Sequence, residues 1–167
     1  QGYGATGLSR ANTASIISAG NISGPRISNI YQGYEGVAEM SQATIQQSQF
    51  NFDYIYQGYG KGASTLNAKA VITQSGLYSY GGISQNETLR SSDYVSTSVG
   101  KDNTATILQG PGVIYANAYI YQGQTSGPEN LRSDGNTATI NQLSVSNVRA
   151  IIYQGGRGSW LVVYSTR

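Results

Sequence analysis

Two short motifs alternate along this chain, and their alternation constrains the fold more than any other feature. Ile-Tyr-Gln-Gly occurs at 30–33, 55–58, 120–123 and 152–155, with a degenerate copy, Ile-Ser-Gln-Asn, at 83–86. Asn-Thr-Ala-Thr-Ile-x-Gln occurs at 103–109 and 136–142, with weaker copies at 12–18, 41–47 and 68–74. Successive glutamines of the first motif are 25, 28, 37 and 32 residues apart. Repeat periods of about 20–50 residues are typical of solenoids, propellers and arrays.

Each motif has the two-residue period of a β-strand. In both motifs Ala, Ile and Gln fall on one face, while Thr or Tyr falls on the other. Helix signals are poor, because the chain has 22 Gly, one Met and few charged residues. A propeller blade needs about four strands in roughly 40–45 residues, whereas this chain offers two motifs per period. The sequence therefore predicts an all-β fold, a β-solenoid of about five to six strand-turn-strand repeats.

One domain is expected over residues 1–167. Its repeat units are 1–18 (a half-repeat with a cap), 19–47, 48–74, 75–109, 110–142 and 143–167. The last segment, 159–165, fits the second strand by pattern only, so the chain is expected to end on a second strand. The sequence predicts no capping helix at either end, so the final turn could pair with the first turn of another copy.

Placing Ile and Ala inside places amides inside as well. A lone buried amide costs about 1–3 kcal/mol if it is unpaired, but identical residues stacked about 4.8 Å apart can bond to one another. Such ladders also fix strand register, because a slip of one residue turns every side chain over. The predicted ladder positions are Gln32, Gln57, Gln85, Gln122 and Gln154 in the first strand, Gln47, Gln74, Gln109 and Gln142 in the second strand, and Asn103 and Asn136 where the second strand begins.

The outward face of the first strand is expected to carry a column of aromatic rings. Its predicted members are Tyr31, Tyr54, Tyr56, Tyr80, Tyr119, Tyr121 and Tyr153. Stacked together they would form an apolar surface of the kind that marks an interface, with lateral pairing or overlying loops as the alternatives. The simpler interpretation is ordinary β-propensity on a half-exposed strand. On the inward face of the same strand the period places Asp53, with a bulge or a pairing with Arg26 one turn below as alternatives.

Composition argues against most catalytic chemistry. The chain has no Cys and no His, which removes thiol chemistry, the commonest general base and the commonest metal ligand. Its eight acidic residues are scattered, and Gly2-x-Gly4-x-x-Gly7 matches a dinucleotide fingerprint by letter alone. A net charge of +2 is too small to suggest binding to nucleic acid, and no apolar run reaches the length of a membrane helix. No enzyme activity, cofactor or metal is predicted.

The repeat resembles that of curlin, the subunit family of bacterial curli fibres. The curlin repeat is roughly Ser-x5-Gln-x4-Asn-x5-Gln. Asn103-x5-Gln109 and Asn136-x5-Gln142 match its second half, and Ser79-x5-Gln85 matches its first half. The chain departs from the pattern where Arg26, Asn51, Ala116 and Val148 replace the family's serine. It also departs in two long gaps, 13 residues from Gln122 to Asn136 and 17 from Gln85 to Asn103, where the family has four.

The resemblance implies a structural subunit that self-assembles head to tail into an extracellular amyloid-like fibre of a biofilm matrix or cell surface. Its partners would be further copies of itself, a secretion machinery and a nucleator subunit. A signal peptide would lie outside the sequence, which opens at Gln1. An ice-binding solenoid is one alternative, since Thr104 with Thr106 and Thr137 with Thr139 form two Thr-x-Thr pairs. A β-helical segment of an adhesin or phage fibre is another.

Overall fold

The chain forms a β-solenoid built of three sheets, whose strands pair parallel except for the last one. The computed structural model describes residues 8–18, 24–33, 36–48, 51–58, 64–75, 78–85, 99–110, 116–122, 132–142, 148–154 and 159–163. The all-β prediction and the solenoid architecture are confirmed. Within these ranges each complete turn contains three strands rather than the predicted two.

Each sheet takes one strand from every turn. The tyrosine sheet contains β3 (Arg26–Gln32), β6 (Asn51–Gln57), β9 (Ser79–Gln85), β12 (Ala116–Gln122), β15 (Val148–Gln154) and β16 (Ser159–Val163). The threonine sheet contains β2 (Thr13–Ser18), β5 (Gln42–Ser48), β8 (Lys69–Ser75), β11 (Thr104–Gln109) and β14 (Thr137–Gln142). The short sheet contains β1 (Leu8–Arg10), β4 (Val37–Glu39), β7 (Ser64–Leu66), β10 (Val99–Lys101) and β13 (Arg132–Asp134). We call three consecutive strands, one from each sheet and counted from β1, a rung; the first rung is therefore β1, β2 and β3.

The short sheet is the element that the motif analysis missed. Its strands have three residues, so each turns a single central side chain inward: Ser9, Ala38 and Thr65 in the first three. One inward residue cannot display a two-residue period. A signal was nevertheless present, because a small residue lies three positions before each residue that opens the second motif, as Ser9 does before Asn12 and Gly100 before Asn103.

The core lies between the tyrosine and threonine sheets. Parallel pairing keeps each repeat position in register, so Ile45 aligns with Ile72 and Ile72 with Ile107. Ile55, Ile83 and Ile120 form the facing column in the tyrosine sheet, and all of these side chains are fully buried. Burying one such side chain contributes about 1.5–3 kcal/mol, so the two isoleucine columns supply much of the stabilisation.

Left-handed backbone recurs at two kinds of corner in the described residues. The first follows the tyrosine sheet, where Gly33 and Gly58 have φ of 60° and 58°. A β-carbon on Gly33 would lie 2.5 Å from the carbonyl of Val37, which explains the glycine that ends Ile-Tyr-Gln-Gly. The second corner precedes the threonine sheet, and five residues of different kinds adopt it: Ala11, Met40, Asn67, Asp102 and Gly135.

The last strand corrects the prediction for residues 159–165. β16 does not continue the threonine sheet above β14 but pairs antiparallel with β15, with Ile152 opposite Leu161. Only four residues connect β15 to β16, whereas nine connect β3 to β5 and include a short-sheet strand. A connection of four residues suits a hairpin and is too short to round two corners. The expectation that the chain ends on a second strand is therefore wrong.

The ends of the described stack are offset between the sheets. At one end β3 lies between the levels of β2 and β5, because Gln32 Nε2 bonds to the carbonyl oxygens of Asn12 and Gln42. At the other end Gln122 bridges Asn103 and Thr137 in the same way, so β15, one rung above β12, rises about half a level above β14, and β16 pairs with its outer edge. The two ends therefore have complementary profiles.

The left-handed glycine corner gives a stability prediction. Gly58→Ala should lower the free energy of unfolding by at least about 2 kcal/mol, because left-handed backbone disfavours a β-carbon, which here would lie 2.5 Å from the Ser64 carbonyl oxygen. Gly24→Ala is the matched control, since its added carbon meets no atom within 4 Å, and it should change stability by under about 0.5 kcal/mol. Urea unfolding measures both, and equal effects would contradict the corner's role.

Candidate functional site: the amide ladders and the tyrosine face

The glutamines of the tyrosine sheet form a continuous hydrogen-bonded column in the core. Gln57 Nε2 donates to Gln32 Oε1, Gln85 Nε2 to Gln57 Oε1, and Gln122 Nε2 to Gln85 Oε1, each at 2.8 Å. All four side chains are fully buried. Strand pairing places Gln154 above Gln122, and its side chain lies outside the described residues. The predicted first-strand ladder is thus present from Gln32 to Gln122.

These glutamines also fasten the tyrosine sheet to the threonine sheet. Nε2 of Gln57 lies 3.1 Å from the carbonyl oxygens of Ser41 and Lys69. Gln85 makes the equivalent contacts one rung higher, to the carbonyl oxygens of Ala68 and Thr104. Each of these two side chains therefore bonds to the amides below and above it along the stack and to two backbone groups across it, which satisfies donors and acceptors whose burial would otherwise be costly.

The second-strand ladder is continuous only in its upper part. Gln142 donates to Gln109, and Gln109 donates to Gln74, both at 3.4 Å. Gln74 then donates to Asp53 Oδ2 at 2.8 Å, and Gln47 donates to Ser28 Oγ. The ladder diverts because Ser28 and Asp53 stand at the inward position that Gly81 and Ala118 occupy higher up. An amide beside a carboxyl group bonds to the stronger acceptor.

Asn103 and Asn136 stack in register but bond to the backbone. The Asn103 Oδ1 accepts the Ala68 N–H at 3.0 Å, and the Asn136 Oδ1 accepts the Asn103 N–H at 2.8 Å. Asn103 Nδ2 donates to Thr65 Oγ1 at 2.7 Å, which links this corner to the short sheet. Each side chain thus holds the left-handed corner of the rung below it. The predicted positions are right, while the bonding differs from an amide-to-amide ladder.

Asp53 points inward, as the two-residue period predicted, and its side chain is fully buried. It pairs in regular register with Ser28, so there is no bulge, and its hydrogen bonds go to Gln74 and Ser28 rather than to Arg26. Desolvation raises the pKa of this carboxyl to about 6, although the hydrogen bonds from Gln74 and Ser28 oppose the rise. Asp53 Oδ1 and Gln47 Oε1, two buried acceptors of this cluster, have no hydrogen-bond donor. A protonated carboxyl would supply one.

All seven predicted tyrosines lie on the outward face of the tyrosine sheet. Tyr31 and Tyr56 stack with ring centroids 4.9 Å apart, and Tyr121 and Tyr153 stack at 5.1 Å. A second column runs beside them through Tyr54, Tyr80 and Tyr119, with centroid distances of 5.4 and 5.2 Å. Burial raises the pKa of Tyr54 and, more strongly, of Tyr80, so these phenols stay neutral. We call this surface the tyrosine face.

The threonine pairs align as predicted but extend over few rungs. Thr104 pairs with Thr137 and Thr106 with Thr139. One rung lower the same positions hold Lys69 and Val71. A flat lattice of threonine hydroxyls therefore ends after two rungs.

Two features are absent from the part of the chain that the structure describes. No group of three or more acidic, Cys or His side chains is placed to bind a metal ion there. Within the same ranges, no helix has the length and apolar character needed to cross a membrane.

No protein-family model, curated protein or solved structure matches this chain. The resemblance to curlin repeats therefore stays a prediction.

The glutamine column predicts a large effect of an isosteric substitution. Gln85→Leu removes the donor of Gln57 Oε1 and one acceptor of Gln122, and it should destabilise the fold by at least about 2 kcal/mol. Gln46→Leu makes the same chemical change at an exposed position and should stay within about 0.5 kcal/mol. Chemical denaturation compares the two, and a similar loss in both variants would rule out the ladder as the cause.

Asp53 predicts that stability falls as pH rises. Because its folded pKa is raised to about 6, its contribution is complete below the unfolded value near 3.8 and is lost as pH passes through 6. Between pH 4 and pH 7 this group should remove on the order of 3 kcal/mol, from a shift of about two pKa units. Asp53→Asn should abolish that slope and be more stable than the natural chain at pH 7. Parallel unfolding profiles for the two proteins across this range would contradict the assignment.

Proposed function

We propose that this chain is a structural subunit that self-assembles head to tail into an extracellular amyloid-like fibre, with curlin subunits as its nearest analogue. The observation that carries the proposal is how the sheets end at the top and bottom of the stack. Among the described strands, β13 and β14 end their sheets at the top of the stack, and β1 and β2 end the same sheets at the bottom. The β1 and β2 of a second copy would pair with β13 and β14 and continue the rise of the solenoid.

The core positions at both ends favour such stacking. Inside the solenoid Ala43, Ile45, Ala105 and Ile107 are fully buried. The equivalent residues of the terminal threonine-sheet strands are only half-buried: Ala14 and Ile16 at one end and Ala138 and Ile140 at the other. Joining the ends would remove this apolar surface from water and satisfy the open strand edges.

The same geometry gives β16 a part in assembly. In a continuous stack the β3 of the second copy would lie on the free edge of β15, where β16 pairs in the single chain. β16 would have to leave that edge before β3 could pair there. We therefore expect assembly to proceed by strand displacement, with β16 holding the isolated subunit closed.

Lateral contact is a separate part of the proposal. The tyrosine face runs parallel to the stacking direction, so assembly along the axis would repeat it and leave it available to a neighbouring fibre. Secretion machinery and a nucleator subunit belong to the curlin-like interpretation. An adhesin or phage-fibre segment is the runner-up, and the size of the assembly separates it from an open polymer. The two-rung limit of the threonine pairs disfavours ice binding.

A disulfide that locks β16 to β15 tests the proposal. The chain has no cysteine, and Ile151 pairs directly with Val162. The natural chain should form fibres with a meridional reflection at about 4.7–4.8 Å. The double variant Ile151→Cys with Val162→Cys should remain monomeric when oxidised and assemble when reduced, as followed by light scattering and electron microscopy.

The matched control is Ile151→Ser with Val162→Ser, which should assemble under both redox conditions. Assembly of the oxidised cysteine variant at the natural rate would refute displacement of β16. A natural chain that stays monomeric at high concentration would refute the fibre itself.

A further inference from the structure

The ordered stacking of tyrosines is interrupted at one rung. The tyrosine face has two columns. The first, which we call the outer column, occupies one register position of successive strands: Tyr31, Tyr56, Ser84, Tyr121 and Tyr153. Ring stacks close to 5 Å lie on both sides of the interruption. Ser84 belongs to the degenerate copy of the Ile-Tyr-Gln-Gly motif, so this rung alone lacks an aromatic ring at that position.

The interruption forms a cleft of about 180 Å³. Tyr56 and Tyr121 stand on either side of it along the stack, while Gly82 and Ser84 form its floor. The second column of the tyrosine face, formed by Tyr54, Tyr80 and Tyr119, lines the remaining side of the cleft. A cavity of roughly 150 Å³ with apolar walls accommodates benzene, so the space is sufficient for one small aromatic ring.

The floor of the cleft is built from residues that keep the space clear. A β-carbon at Gly82 would lie 2.8 Å from Cδ1 of Tyr54, because that ring lies against the glycine backbone. Ser84 is buried beneath its neighbours although it points to the outward face of the sheet. Two successive outward positions of β9 therefore carry little or no side chain, while the rungs above and below carry rings at both.

The spacing of the walls selects a flat ring. Tyr56 and Tyr121 belong to strands two rungs apart, which places them roughly 9.6 Å from each other along the stack. A ring halfway between would lie about 4.8 Å from each wall, close to the 4.9 and 5.1 Å of the chain's own stacks. A guest ring would thus continue a stacking geometry that the protein already uses.

The polar side-chain atoms at the cleft are hydroxyls, those of the tyrosines and that of Ser84. No charged side chain lines it, and burial keeps the Tyr54 and Tyr80 phenols neutral, with a hydrogen bond joining them. Neutral hydroxyls at the rim suit a guest that combines an aromatic ring with a hydroxyl group. We propose that this cleft binds a small planar phenol, whose ring stacks between Tyr56 and Tyr121 in the place of the missing side chain.

Titration of the full-length monomer with p-cresol, the side-chain analogue of tyrosine, tests the proposal by ligand-observed and protein-observed NMR. The natural chain and Ser84→Ala should bind with similar affinity, since both leave the cleft open. Ser84→Tyr should weaken binding at least tenfold, because the chain's own ring then occupies the space. Tyr121→Ala should also weaken it several-fold by removing one wall, and this second variant tests the site if Ser84→Tyr folds poorly.

Two comparisons identify the occupant. Methyl β-glucoside, a puckered ring that also stacks on aromatic faces, should bind at least tenfold more weakly than p-cresol. Shifts of the Tyr56 and Tyr121 ring signals that depend on protein concentration, without added ligand, would indicate a side chain of a second copy instead. Equal affinity of p-cresol for the natural chain and Ser84→Tyr, preference for the glucoside, or such self-association would each overturn the proposal.

Discussion

The hydrogen bond that each buried glutamine of the tyrosine sheet donates to the glutamine below it is the interaction on which the stack depends. A primary amide inside an isoleucine core is tolerated only if its donors and acceptor are all satisfied. Gln57 achieves this with two bonds along the stack, one donated to Gln32 and one accepted from Gln85, and two bonds donated across it. Moving one strand by a single residue would bury a tyrosine and expose the amide, so the same bonds that satisfy polarity also fix register.

Because register is fixed inside the solenoid, the connections outside it can vary. The glutamines of successive rungs are separated by 25, 28 and 37 residues, yet their side chains meet at the same 2.8 Å. Extra loop residues add only a small closure entropy, about 0.6 kcal/mol for each doubling of length. The loops can therefore change in length and composition while the strands and the core stay constant.

The sequence predicted what repeats and missed what occurs once or is very short. The inward isoleucines and glutamines and the outward tyrosines followed from a two-residue period that five rungs repeat. The short sheet escaped because strands such as β4 contribute a single inward residue, Ala38, and have no period. The diversion of Gln47 to Ser28 depends on contacts across the core, and period alone does not reveal which acceptor an amide will choose.

The antiparallel direction of β16 was missed for a different reason. Its residues alternate well enough to resemble a second strand, so the strand pattern alone predicts the wrong sheet. The length of the connection is the better guide: four residues suffice for a hairpin or to reach the short sheet, as between β3 and β4, but they are too few to reach the threonine sheet. In a solenoid the number of residues available between two strands determines which sheet the second can reach.

The five left-handed corners before the threonine sheet have a consequence for how the chain acquires its shape. Ala11 and Met40 have little intrinsic tendency to adopt this conformation, which costs an ordinary residue about 1–2 kcal/mol. Local sequence therefore does not encode the corner at these two positions, whereas Asn67, Asp102 and Gly135 are residue types that favour it. At Ala11 and Met40 the bend is held by the neighbouring rung, because their N–H groups donate to the carbonyl oxygens of Glu39 and Leu66. A finished turn serves as the template for the next, so forming the first turn should be the slow step of folding and later turns should add quickly.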